Sequence, residues 1–134
     1  MEKIVTKQNE IWLDDQGILC VRAVENAEMD LEEVRSCFDG YKSLGLGKKK
    51  VLQLLDLRRG ASMTSEARAF VSGCAEDFFI ASAVISNSLS VRLMVNFFTL
   101  FYGKKIPLHM FGTEREARVW LQKFQKNKKQ KVKK

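Results

Sequence analysis

The feature that most constrains the fold is the apolar run at residues 51–57. This run, VLQLLDL, contains only two polar residues, Gln53 and Asp56, and is typical of a strand buried on both faces of a parallel sheet. A basic turn follows, Arg58-Arg59-Gly60, and helix-forming residues resume at Glu66. The pattern therefore predicts a strand, a turn and a helix start. Ligands commonly bind at such a corner of an open α/β sheet, because helix N-termini present unpaired N–H groups there.

Strand and helix patterns alternate along the rest of the chain. Two β-prone runs around Asp14-Asp15-Gln16-Gly17 predict a hairpin, and an apolar stripe after Asp30 predicts a helix. The predicted order is ββαβαβαβα, which requires right-handed crossovers and a mixed, mostly parallel sheet of about five strands in one α/β domain. The later predicted elements are a helix from about residue 66 to residue 77, strands at residues 78–85 and 106–111, and helices at residues 89–102 and 113–124.

Length and charge divide the chain into two parts. A chain of 134 residues with 46% hydrophobic content is large enough for one domain with its own core. The formal net charge is +7, but residues 126–134 hold six lysines and no acid. We therefore predict a nearly neutral domain over residues 1–125 and a basic, disordered tail over residues 126–134. Capture of nucleic acid or anionic lipid by this tail is the alternative.

Cysteine usage and hydropathy indicate a cytoplasmic protein. Cys20, Cys37 and Cys74 are odd in number, lie far apart and form no CxxC pair, so we expect neither disulfides nor a zinc site. No signal peptide is recognisable at the N-terminus. The most apolar region, residues 78–102, is interrupted by polar residues and lacks the roughly 18 apolar residues of a membrane span. We expect no metal and no cofactor.

The exits of two predicted strands carry the residues of a candidate binding site. If the strands at residues 51–57 and 78–85 are neighbours, their ends bring together two helix N-termini and two to four guanidinium groups. This arrangement favours a phosphate or a carboxylate. The alternative is that Asp56 pairs with one of the arginines and that the hydroxyl groups only cap helices. The predicted ligand-binding residues are Asp56, Arg58, Arg59, Ser62, Ser65, Arg68, Asn87, Ser88 and Arg92.

The predicted helix at residues 89–102 is apolar on nearly all sides. A helix of this kind must be buried on more than one face. A partner surface, most simply that of a symmetric homodimer, would cover the second face. The alternative is burial wholly within one monomer. The predicted interface residues are Val91, Met94, Val95, Phe98 and Tyr102.

Signals for catalysis are weak. His109 is the only histidine and lies in an apolar strand, where a structural role is favoured over that of a base. No nucleophile elbow occurs, and GLGKKK at residues 45–50 lacks the Walker pattern. We assign no catalytic residue. A non-enzymatic binding module is favoured over an enzyme that acts on a phosphorylated or carboxylated small molecule.

Four motifs together cover roughly residues 10–122: WLDDQGILCVR, LLDLRRGASMTSEAR, ISNSLSVRLMVNFF and PLHMFGTEREARVWL. They resemble the STAS, or SpoIIAA-like, fold of anti-sigma-factor antagonists and sulfate-transporter cytoplasmic domains, and more closely a group of uncharacterised bacterial SpoIIAA-like proteins. The resemblance implies this fold and a regulatory or binding role, with a protein partner or a small anionic ligand at the strand exits.

The same resemblance bears on regulation by phosphorylation. In the antagonists, a serine at the start of the second helix is phosphorylated, and an aspartate ends the preceding strand. Asp56 matches that aspartate by position, and Ser65 or Ser62 is the nearest serine. The antagonists' adjacent Asp-Ser pair is replaced here by Met63-Thr64-Ser65. The resemblance therefore does not extend to the phosphorylated serine itself.

Overall fold

A computed structural model describes the backbone of residues 2–102 and 106–133, and the side chains of residues 2–100 and 106–125. The helices are α1 (Leu31–Ser43), α2 (Ser65–Cys74), α3 (Leu89–Tyr102) and α4 (Glu114–Lys133), and a short 3-10 turn (Ala75–Asp77) follows α2. The strands are β1 (Lys3–Val5), β2 (Asn9–Leu13), β3 (Leu19–Ala23), β4 (Ala27–Met29), β5 (Val51–Asp56), β6 (Ala61–Met63), β7 (Phe79–Ile85) and β8 (Leu108–Phe111).

Six of these strands form the central sheet, in the order β1-β2-β3-β5-β7-β8. The first three strands are antiparallel, and the remaining pairings, from β3 to β8, are parallel. This confirms the predicted mixed, mostly parallel sheet with β5 next to β7. Strands β4 and β6 form a separate parallel pair. The prediction missed β1, β4 and β6, because a strand of three residues is too short to show an alternating pattern.

The β2–β3 hairpin is fixed by its turn residues. The Asp14 carboxylate accepts hydrogen bonds from the backbone N–H groups of Gln16 and Ile18, at 2.9 and 3.0 Å. Gly17 has a φ of +77°, a conformation that glycine adopts without steric cost. Arg118 of α4 donates to the same carboxylate at 2.9 Å and to Glu114 at 2.8 Å. Helix α4 is thus held to the hairpin by charge as well as by packing.

Three helices begin at residues whose side chains cap the first turn. The side chains of Asp30 and Thr64 accept hydrogen bonds from N–H groups in the first turns of α1 and α2. Thr113 caps α4 in the same way, since its hydroxyl accepts from the Glu116 N–H at 3.2 Å. The Glu33 carboxylate does not return to the start of α1, as a capping box would require, but is buried beneath the helix.

Helices cover both faces of the central sheet. Side chains alternate along β5, so that Leu52 and Leu54 pack against α4, whereas Gln53 and Leu55 point toward the other three helices. We call these two sides the α4 face and the α1–α3 face. The chain therefore has two cores that share the same strands.

The predicted lysine-rich tail coincides with the end of α4. The backbone of this helix has the bounds Glu114–Lys133. The side chains from residue 126 onward lie outside the described residues. The disorder of residues 126–134 and the domain boundary at residue 125 stay predictions.

Candidate functional site

Asp56 and Arg58 form the best-defined charged contact at the end of β5. The Arg58 guanidinium donates to both oxygens of the Asp56 carboxylate, at 2.9 and 2.7 Å, and the Arg58 N–H donates to it at 3.2 Å. Arg22 approaches the same carboxylate at 3.8 Å, and Glu114 lies 3.9 Å from Arg58. The hydrogen bond from Arg58 is the main cause that lowers the pKa of Asp56. The pKa of Arg58 is raised by the same contact.

The sequence allowed two interpretations of these residues, an anion-binding site or an ion pair between Asp56 and an arginine. The contact between Asp56 and Arg58 agrees with the second. Two carboxylates surround Arg58, so little of its positive charge is left for an anionic ligand. Of the predicted site arginines, Arg59 and Arg92 are exposed and have no carboxylate partner among the described residues.

An additional strand, β6, lies between β5 and the next predicted residues of the site. The turn after Arg59 ends at Gly60, whose φ is +93°, and where a Cβ would lie 2.9 Å from the Asn26 Oδ1 atom. The chain then pairs with β4 before α2 begins, so the N-terminus of α2 does not follow directly on β5. We expected the helix to follow directly on the turn after β5. The structure corrects this expectation, because the short strand β6 lies between that turn and α2.

This strand separates three predicted ligand-binding residues from Asp56. Ser62 lies exposed in β6, and Ser65 is exposed in the first turn of α2, where Thr64 provides the cap. Arg68 donates to the Met63 carbonyl at 2.8 Å, and its guanidinium carbon lies 4.8 Å from the centre of the Phe97 ring. Arg68 thus links α2 to α3.

The start of α3 holds the remaining predicted residues. Asn87 is exposed, and the Ser88 hydroxyl lies 2.9 Å from that of Ser90. The Ser88 N–H donates to the hydroxyl of Ser86 at 3.0 Å. Ser86 is buried at the end of β7 and was not predicted as a site residue. The hydroxyl groups in this segment therefore order the entry into α3.

Four of the five predicted interface residues are buried or half-buried within their own chain. Val91 and Val95 are buried against the α1–α3 face, and Met94 packs partly buried beside them. Phe98 is also half-buried, and the side chain of Tyr102 lies outside the described residues. The apolar pattern identified a two-sided helix but assigned its two sides in reverse, because periodicity alone does not tell which side meets the sheet.

The outer side of α3 exposes a row of residues at regular spacing. Leu89, Leu93 and Leu100 are 71%, 61% and 83% exposed. Asn96 lies between them and is also exposed. The spacings of four, three and four residues place all four side chains on one stripe of the helix. We call these four residues the outer row of α3.

Sequence reasoning missed the buried polar residues on the α1–α3 face. Gln53 and Ser82 are register partners in β5 and β7, and the Ser82 hydroxyl donates to Gln53 Oε1 at 2.8 Å. The Tyr41 side chain of α1 lines the same cavity as Gln53, and burial raises the pKa of Tyr41 well above its ordinary value. The signal was present in the sequence, because Gln53 and Ser82 each interrupt an otherwise apolar strand.

A second cluster of buried polar side chains surrounds Glu33. Its carboxylate accepts hydrogen bonds from Thr6 and from the Asn9 amide, the latter at 2.7 Å. The Cys37 thiol lies 3.6 Å from the same oxygen. Burial, together with the neighbouring negative charge of Glu33, raises the pKa of Cys37 to about 12. The thiol therefore stays protonated near neutral pH.

Other candidate functional features are reported for the described residues only. They contain no cluster of three or more His, Cys, Asp or Glu side chains suited to hold a metal ion. No helix among them has both the length and the apolar character needed to cross a membrane. His109 is exposed on β8, with its ring centroid 4.7 Å from that of Phe111.

The comparisons with known proteins identify a family. The model of a family described as a domain of unknown function, DUF7793, matches residues 11–125. The chain belongs to this family. No curated protein matches the DUF7793 chain.

Among solved structures, an uncharacterized protein of the DUF3478 family from Shewanella loihica PV-4, with a SpoIIAA-like fold, is similar to the DUF7793 chain. The two are 16% identical, and the match covers 84% of this chain and 91% of that protein, with a TM-score of 0.61. At this identity the likeness shows the fold alone. The SpoIIAA-like fold that the four sequence motifs indicate is thereby confirmed.

Proposed function

We propose that the protein is a non-enzymatic binding module that acts as a homodimer through the outer row of α3. The exposed leucines carry this proposal, because three large apolar side chains on one stripe are costly to leave in water. The row spans eleven residue steps, or about 16 Å at the rise of an α-helix. Its spacing matches two heptads of a coiled-coil seam.

The charges of α3 favour a second copy as the partner. Arg92 is the only charged residue in α3. In an antiparallel pair with its two-fold axis beside Asn96, Arg92 lies opposite the partner's Leu100, near the C-terminal turn of the partner helix. The negative end of the helix dipole is located there, so Arg92 is attracted and not repelled.

Asn96 gives this pairing a defined register. On the two-fold axis, its amide meets the same amide of the second copy, and an amide can both donate and accept. A polar asparagine in an apolar seam fixes the register at some cost in stability. With three leucines from each chain, we expect a weak dimer that dissociates on dilution.

The properties of Asp56 favour binding over catalysis at the strand exits. A carboxylate with a lowered pKa, held by a bidentate guanidinium, is a poor general base near neutral pH. Arg59 and Arg92 are available to a protein partner or a small anionic ligand in the monomer, whereas in the proposed dimer Arg92 lies beside the partner helix. Their exposure supports the corner as a second binding surface of the same module.

The dimer is tested by replacing one exposed leucine of the outer row with a charged residue. Leu93→Asp places an unpaired carboxylate from each chain in the apolar seam, and we expect it to give a monomer by sedimentation velocity where the wild-type protein is a dimer. The matched control is Val119→Asp on α4, since Val119 is also an exposed apolar residue, at 54%. It should leave the dimer intact. A wild-type protein that is monomeric at every concentration, or a Leu93→Asp variant that still dimerises, would refute the homodimer.

The corner is tested by removing its exposed charge. Thermal unfolding of the wild-type protein and of Arg59→Ala/Arg92→Ala is compared in phosphate, citrate and nucleotides. A ligand at a hundred times its dissociation constant adds about 2.7 kcal/mol to the stability. We expect a rise in melting temperature for the wild-type protein that the double variant lacks. Equal behaviour of the two proteins argues against an anion site at these arginines.

A further inference from the structure

A cavity of about 140 Å³ lies on the α1–α3 face, between the sheet and helices α1, α2 and α3. Most of its lining is aliphatic or aromatic. None of the described residues that line it carries a formal charge at neutral pH. Well-packed interiors contain few voids of this size. An apolar cavity of about 150 Å³ is known to accept benzene, so this cavity has the size of a single ring.

Aromatic side chains contribute several parts of this lining. Phe38 and Tyr41 come from α1, Phe79 from β7 and Phe98 from α3. Phe38 makes edge contacts with Phe79, at 6.5 Å between ring centroids, and a tilted contact with Tyr41 at 4.9 Å. Aromatic rings prefer edge-to-face or offset neighbours, so these walls suit a further ring.

Asn9 provides a second, independent observation. Its side chain is 2% exposed and lines the cavity. The amide nitrogen is directed to Glu33 at 2.7 Å, which fixes the orientation of the amide. The amide oxygen, Oδ1, is buried and has no hydrogen-bond partner among the described residues. An unpaired buried acceptor of this kind costs about 1–3 kcal/mol, and a ligand that donates a hydrogen bond would remove that cost.

The cavity has an identifiable open side. The lining residues that keep partial exposure lie mainly on two helices, with Val71 and Ser72 on α2, Ala75 in the 3-10 turn that follows it, and Met94 and Phe98 on α3. The Ser72 hydroxyl donates to the Arg68 carbonyl, and the Arg68 side chain, which does not line the cavity, bridges from α2 to Phe97 of α3. A ligand would enter between α2 and α3, beside this bridge.

From these observations we propose that the cavity binds a neutral, single-ring aromatic molecule with one hydrogen-bond donor, placed so that the donor meets Asn9 Oδ1. Phenol is the simplest member of this class. A neutral ligand is required because burial of a charge without a partner in an apolar cavity is strongly unfavourable. The site is distinct from the outer row of α3 and from the corner at Asp56.

A series of three probes tests the chemistry on the unmodified protein. Phenol has the ring and the donor, anisole has the ring without the donor, and benzoate has the ring with a charge. Affinities are measured by two-dimensional amide NMR titration. We expect phenol to bind, anisole to bind about tenfold more weakly because one hydrogen bond is lost, and benzoate to show no binding. If phenol does not bind, or if benzoate binds as well as phenol, the proposal is wrong.

Two methionines report the position of the probe. Met29 and Met94 line the cavity from different elements, whereas Met110 of β8 lies outside the lining. We expect nuclear Overhauser contacts from the phenol ring to the methyl groups of Met29 and Met94 and none to that of Met110. Contacts to Met110 alone would place phenol elsewhere and overturn the site.

A cavity-filling variant tests the same site by another route. Val71→Phe adds a ring to the α2 wall, and we expect it to weaken phenol binding at least tenfold while the fold is retained. Ala69→Phe makes a comparable change at an exposed position of the same helix and should bind phenol as the wild-type protein does. A folded Val71→Phe variant with unchanged affinity would contradict the proposal. If that variant does not fold, the probe series and the methyl contacts decide.

Discussion

On the α4 face of the sheet, aliphatic side chains from β5 and β7 meet Ala117 and Leu121 of α4, with the partly buried Trp120 and Phe124 packed beside them. On the α1–α3 face, the residues one step along the same strands include Gln53 and Ser82, and a cavity lies above them. The two faces share every backbone hydrogen bond of the sheet. They differ in the side chains that alternate positions of the strands place on each face.

The difference separates stability from recognition. Ala81 and Ala83 let α4 approach β7 closely, which favours dense packing. Buried polar side chains on the opposite face are more costly to place than leucine would be, and each one needs a partner. We infer that the α4 face mainly stabilises the fold, whereas the α1–α3 face gives up part of that stability for a site.

The largest expected effect is on the α4 face. Leu121 is completely buried, so Leu121→Ala removes apolar contacts and leaves a cavity. We expect a loss of about 2–5 kcal/mol in the free energy of unfolding, measured by urea denaturation. The control is Val119→Ala, two residues earlier on the same helix and exposed. It should change stability by less than about 0.5 kcal/mol. A loss below about 1 kcal/mol for Leu121→Ala would remove the proposed contrast between the faces.

A smaller effect is expected from the polar pair on the α1–α3 face. Ser82→Ala leaves the buried Gln53 Oε1 without its donor, which should cost about 1–3 kcal/mol. Gln53→Met in addition removes the acceptor as well. The double variant should therefore lose less stability than the sum of the two single variants. Additive losses, measured by the same denaturation experiment, would show that the pair contributes only as packing.

The smallest effect concerns the ionic contact that holds α4 to the hairpin. Burial acts to raise the pKa of Asp14, but hydrogen bonds from Arg118 and from two backbone N–H groups outweigh it, so the pKa is lower than the ordinary 3.8. A group with a lowered native pKa stabilises the fold above its unfolded pKa. That stability is lost as the pH falls through the native value.

Asp14→Asn should therefore be less stable than the wild-type protein near neutral pH. The difference between the two should shrink as the pH is lowered below about 4. Urea denaturation at a series of pH values measures this. Arg115→Gln on the same helix, at an exposed position, serves as the control and should keep the wild-type pH dependence. A constant difference across the acid range would show that Asp14 acts through its turn geometry alone.

How far the sequence predicts the molecule depends on the length of each pattern. The run around Gln53 and the Asp14-Asp15-Gln16-Gly17 turn are strong local signals, and they led to the observed sheet and hairpin. The pairing of β4 with β6 has no such signal, because three residues show no periodicity, and this pairing places Ser62 in a separate strand pair and not in the turn after β5. Local propensity does not reveal which distant segment a short strand will meet.

The candidate sites show the same limit. The arginines at two predicted strand exits predicted a basic corner, yet the position of the Asp56 carboxylate decided how much charge remains there. The apolar pattern of α3 predicted two buried sides, but the sheet determined that Val91 faces inward and Leu93 outward. Asn9 gave no signal, since its open oxygen results from contacts to Glu33, 24 residues away.

Helix α3 has a consequence for how the two proposed sites communicate. Met94 and Phe98 line the cavity on one side of this helix, and Leu93 and Leu100 are exposed on the other. Any tilt that an occupant imposes on the inner side chains is carried by the same rigid backbone to the outer row. If phenol changes the dimer dissociation constant by some factor, dimerisation must change the affinity for phenol by a matching factor, because the two equilibria form a closed thermodynamic cycle. Through this one helix, the fraction of the protein that is dimeric would then depend on the concentration of the ligand.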